Sequence, residues 1–125
     1  MTTRTITADA IATARLSFAV DMLEEWLGFA AYAPTADDRA EYLRKVGSWR
    51  AQVEELQALV PQTCRAYRRA SEVLVAVAHH AVQCAYNDLD DACNSAIEDP
   101  DLVDLLDQRL TDARARLEQM VSATI

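Results

Sequence analysis

The sequence predicts an all-α fold, a single-domain antiparallel four-helix bundle, and three observations predict it. Hydrophobic residues fill 51% of the 125 positions, alanine alone takes 23, and only two glycines and three prolines interrupt the chain. That balance favours long helices over sheet or disorder. Apolar residues recur at steps of three and four through four successive stretches, the period of a helix with one buried face. The connections between stretches are a few residues long, which makes sequential helices antiparallel neighbours. The chain is also long enough to bury a core without disulfides or metals.

The first helix is expected over 8–32, after a short flexible N-terminus at 1–6. Thr7 is placed to cap it, and its apolar stripe runs Ile11, Ala14, Phe18, Met22, Trp26 and Phe29, widened by Leu16, Val20, Leu23 and Leu27. Pro34 disfavours helical geometry at Ala33 and ends the helix near Tyr32. Thr35 then caps a second helix over 36–60, with Asp37 and Asp38 in the first turn, where carboxylates suit the positive end of the helix dipole. Tyr42, Val46, Trp49, Val53, Leu56 and Val60 form a heptad seam along it. Gly47 costs roughly 1 kcal/mol of helix propensity but lies off that seam, consistent with close packing or a slight bend.

Pro61 either kinks one long helix or opens a new one, and a tight corner is the reading adopted. The third helix is expected over 62–97, with a stripe through Cys64, Tyr67, Ser71, Leu74, Ala78, Val82, Ala85, Leu89, Ala92 and Ala96. Its length makes Asn87 a candidate break. Asp99 and Pro100 read as N-cap and first residue of a fourth helix over 100–122, with Asp101 in its first turn. Leu102, Leu105, Leu106, Leu110, Ala113, Leu117 and Met120 make its apolar face.

A net charge of −8 opposes binding to phosphate backbones and anionic membrane surfaces, so neither a nucleic-acid reader nor a membrane protein is expected. No charged-then-apolar leader and no apolar run near the ~20 residues of a bilayer span is seen, and the expected compartment is the cytoplasm. Cys64, Cys84 and Cys93 form no CxxC pair, and an odd count in so helical a chain argues for reduced thiols.

Chemistry-bearing motifs are sparse. His80, Cys84 and Asp88 follow one another at i, i+4 and i+8, so the three could share a helix face and ligate a transition metal. No second His or Cys cluster completes a tetrahedral set, and one core imidazole beside an exposed His79 explains the pair as well. Neither histidine has Glu three residues earlier, as a carboxylate-bridged di-iron bundle requires. Residues 87–98 superficially resemble a calcium loop, but Ala92 holds the position where glycine makes the turn and Leu89 the third. Glu24 with Glu25 and Glu54 with Glu55 read as solvated surface. Nothing supplies an oxyanion hole or a phosphate-cradling glycine loop. No metal, no cofactor and no catalytic set is expected.

Charge segregation is the feature that stands out. Asp88, Asp90, Asp91, Glu98, Asp99, Asp101, Asp104 and Asp107 lie in a stretch with no Lys or Arg. Arg39, Arg44, Lys45, Arg50, Arg65, Arg68 and Arg69 gather seven of the twelve basic residues elsewhere. Complementing one helix start needs two or three carboxylates, not eight, so the acidic corner is the expected partner-binding surface. The function expected is a non-catalytic acidic protein that engages a basic surface of a protein partner, for example a surface that normally holds nucleic acid. Inhibitor, antagonist or escort roles fit, as in phage-encoded inhibitors and immunity proteins. The alternatives are a metal- or thiol-dependent enzyme built on His80, Cys84 and neighbouring carboxylates, and a self-associating subunit that meets a second copy through the heptad seam of the second helix, with Tyr42 and Trp49 as anchors, or through an Arg-rich face against the acidic corner.

Overall fold

The expected caps and corners decide where the helices begin and end. The computed structural model describes residues 8–124 and contains four α-helices: α1 (Ala8–Ala31), α2 (Ala36–Gln57), α3 (Arg65–Cys93) and α4 (Pro100–Thr124). Among the described residues there is no strand, so the chain is all-α with four helices, as its sequence predicts. The Thr7 cap and the stretch 1–6 lie outside the described residues.

Two caps form as expected. The Asp38 N–H donates to Thr35 Oγ1 at 3.0 Å at the start of α2. The Leu102 N–H donates to Asp99 Oδ1 at 3.1 Å at the start of α4, with Pro100 as its first residue. Each satisfies one of the N–H groups that a helix start leaves without a partner.

Two helices are shorter than expected. α2 stops at Gln57 rather than 60, because Pro61 restricts Val60 and the last turn tightens: Leu59 N–H donates to Leu56 O at 3.0 Å and Val60 N–H to Gln57 O at 3.3 Å. α3 stops at Cys93 rather than 97, since the ladder tightens at Ser95, whose N–H donates to Ala92 O at 3.3 Å, and the Ser95 hydroxyl then takes a backbone donor, Ile97 N–H, at 3.3 Å. The break considered at Asn87 is absent. α3 runs through it, and Gln83 Nε2 donates to Asn87 Oδ1 one turn on, at 3.0 Å.

Pro61 makes the expected corner but lies outside α3, which starts at Arg65. There the cap is a thiol: the Tyr67 N–H donates to Cys64 Sγ at 3.4 Å. Gln57 ties the corner together, its Nε2 donating to Tyr67 O at 3.0 Å and Ser71 Oγ at 2.8 Å.

The chain divides into two compact units, Met1–Leu74 and Val75–Ile125, so α3 supplies 65–74 to the first and 75–93 to the second. In the first unit α1 and α2 pack along each other. Phe18 meets Trp49 at 5.8 Å and Trp26 meets Tyr42 at 5.8 Å, so rising numbers on α1 face falling numbers on α2 and the pair is antiparallel. On α2 the expected seam holds, with Val46, Val53 and Val60 buried and Tyr42, Trp49 and Leu56 half-buried between them.

On α1 the phase differs from the expected one. The buried line is Leu16, Ala19, Val20, Leu23 and Ala30, while Ile11, Phe18 and Phe29 are exposed. Both lines have helical spacing. Branched aliphatic and small side chains take the narrow contact strip, and the rings stand along its margin, where their bulk covers a neighbour without entering the strip. Among the described residues of the second unit only Ala78, Ala85 and Leu110 are buried. Leu102 and Leu105, expected on the packed face of α4, are exposed instead; Leu105 lies about 100° off the line through Leu106 and Leu110.

Candidate functional site

The acidic corner is assembled by the end of α3, the connection 94–99 and the first turns of α4, all within the second unit. Two of its eight acids have internal work. Asp88 Oδ2 accepts from Arg109 Nη1 at 3.0 Å in a part-exposed ion pair, and Asp99 caps α4. The other six, Asp90, Asp91, Glu98, Asp101, Asp104 and Asp107, are exposed and make no ion pair among the described residues.

Helix electrostatics separates these six. Asp101 stands in the first turn of α4, where a carboxylate is favourable. Asp90 and Asp91 stand in the last turns of α3, where carbonyl groups already present negative charge and cations are the stabilising choice; α3 has no basic residue in its last turn. Their charge therefore opposes local helix stability. Large apolar side chains are exposed within the same segment: Ile97 is 79% accessible and Leu105 66%, and Leu102 is exposed as well.

The seven basic residues all fall in the first unit but do not form one face. At about 100° per residue, Arg39 and Arg50 share a line on α2 while Arg44 and Lys45 point elsewhere. The four basic residues of α2 are thus spread around that helix, and Arg65, Arg68 and Arg69 stand on α3. Arg69 is committed internally: its Nη2 donates to Asp21 Oδ1 at 2.6 Å and to Glu24 Oε2 at 3.2 Å. The hydrogen bond to Asp21 outweighs desolvation of the guanidinium and, with that to Glu24, holds the Arg69 pKa above its ordinary value. Lys45 Nζ lies 6.0 Å from the Trp26 ring centroid.

The His80 set does not come together. Cys84 Sγ lies 3.6 Å from His80 Nδ1, but Asp88 is engaged by Arg109, and no three His, Cys, Asp or Glu side chains among the described residues are grouped to hold a metal. His80 is half-buried and His79 exposed. None of the three cysteines is in a disulfide. No helix among the described residues is long and apolar enough to cross a membrane.

The first unit also holds a cleft of about 730 Å³ that was not expected from the sequence, its lining including Asp21, Glu24, Glu25, Gly28, Phe29 and Tyr32. Its signal was present as carboxylates, a glycine and a tyrosine at helical spacing on one face of α1. No protein-family model, curated protein or solved structure matches the chain.

Proposed function

We propose that this chain is a non-catalytic protein-binding protein that engages a basic surface of a protein partner through the acidic corner of its second unit, as inhibitor, antagonist or escort. The observation that carries the reading is six exposed carboxylates without ion pairs among the described residues, two of them at the wrong end of a helix for stability, with Ile97, Leu102 and Leu105 exposed in the same stretch. Uncompensated charge speeds encounter with an oppositely charged partner, and apolar side chains among the acids supply the desolvated centre that an interface needs.

The test is capture of partners from the native host by wild-type protein and by the triple charge reversal Asp101→Lys, Asp104→Lys, Asp107→Lys, at low and high salt. Capture is expected to weaken with salt and to be lost on reversal. A partner held equally well in all four conditions sinks the reading. The enzyme alternative, resting on the His80 and Cys84 contact, predicts instead a stoichiometric transition metal in protein purified without chelator, lost on His80→Ala.

A further inference from the structure

The cleft in the first unit opens beside the turn that joins α1 to α2. Asp21, Glu24, Glu25, Gly28 and Tyr32 follow one another at steps that keep them on one side of α1. The rings of Phe29 and Tyr42, with centroids 6.0 Å apart, form an aromatic wall. The space over Gly28 is open: a methyl group added there would meet no atom within 4 Å. Tyr32 is 88% accessible, so a large ring stands in water at a cleft also lined by Asp21, Glu24 and Glu25.

Carboxylate oxygens and aromatic faces on one surface match a single cation best. A guanidinium is planar, donates in a fixed fork to carboxylates and stacks on rings. The chain's own Arg69 already uses this chemistry, bridging Asp21 and Glu24 from α3. That bridge engages two of the three carboxylates with a single positive charge, so the group stays net negative, and it leaves Glu25, which makes no ion pair among the described residues, one helical turn from Phe29.

We propose that this cleft binds the guanidinium of an arginine side chain presented by a partner polypeptide. Glu25 supplies the carboxylate, Phe29, Tyr32 and Tyr42 supply the stacking surface, and Arg69 fixes the carboxylates at the far side. The site uses no residue of the acidic corner and stands whether or not that corner binds a partner.

The experiment is a ¹⁵N NMR titration of the intact chain with Nα-acetyl-arginine methylamide, and with its lysine and uncharged citrulline counterparts. Saturable shifts centred on Glu25, Gly28, Phe29 and Tyr32 are expected with the arginine probe, with clearly weaker binding of the other two. Glu25→Gln should weaken the arginine probe about three- to fivefold, the scale of an exposed ion pair. Gly28→Leu, which fills that space, should abolish saturation. Circular dichroism checks both variants, and Glu25→Gln alone decides if Gly28→Leu loses helicity. Non-saturating shifts, equal binding of lysine or citrulline, or indifference to Glu25→Gln overturns the proposal. The Asp101, Asp104 and Asp107 reversal should leave this titration unchanged, which separates its failure from that of the acidic corner.

Discussion

The two units divide the chemistry of the chain unequally. The first buries Leu16, Val20, Leu23, Val46, Val53 and Leu74 among others, and holds the ring contacts of Phe18, Trp26, Phe29, Tyr42 and Trp49. The second buries two alanines and Leu110 and carries the eight-acid run. Apolar burial supplies most folding free energy, whereas uncompensated like charge lowers it. The second unit therefore gains less from burial and loses more to repulsion among its acids than the first.

The largest test of that contrast is Leu23→Ala, at a position with no solvent access. It should lower unfolding free energy by about 2–5 kcal/mol, read by chemical denaturation, while Leu105→Ala, at an exposed site, should stay within about 0.5 kcal/mol of wild type. A comparable loss from both would erase the distinction. Next comes Asp99→Ala, which removes the α4 cap and should cost about 0.5–2 kcal/mol. Asp104→Ala, one turn on but without a capping bond, should cost less; equal effects would mean that charge rather than the cap matters.

Smaller still is Gly47→Ala. Nothing lies within 4 Å of a methyl group built there and α2 passes through unbroken, so neither close packing nor a break requires the glycine. The substitution should stabilise by about 0.4–1 kcal/mol, seen as a raised Tm. The smallest stability effect should come from Asp90→Asn with Asp91→Asn. Removing two carboxylates from the negative end of α3 should give a gain of a few tenths of a kcal/mol. A loss would show that these acids have a structural partner after all.

Local signals were legible in the sequence because they act over three or four residues. Thr35, Asp99 with Pro100, and the Pro61 corner each work through one backbone restriction or one side-chain bond, and each stands where the spacing put it. Helix phase was harder. α1 carries two apolar lines of equal period, and only contact with α2 decides between Leu16, Val20 and Leu23 on one side and Phe18 and Phe29 on the other. The Gln57 bonds to Tyr67 and Ser71 and the Arg69 bridge to Asp21 and Glu24 join residues far apart in the chain, and no local pattern announces them. The acidic run was obvious as composition. What the sequence could not reveal is which acids are spoken for, since Asp88 and Asp99 differ from their neighbours only through Arg109 and the Leu102 amide.

One helix, α3, passes through both neighbourhoods. Ala70, Val73 and Leu74 are buried in its first part and Gln57 clasps its opening turns, while its last turns end among exposed acids. Its amides form one continuous ladder, yet they should exchange with deuterated solvent at rates that climb from the Ser71 turn toward Cys93, as end fraying outpaces opening of the clasped segment. Read along its length, this single helix is a gauge of where the chain invests in permanence and where it stays available.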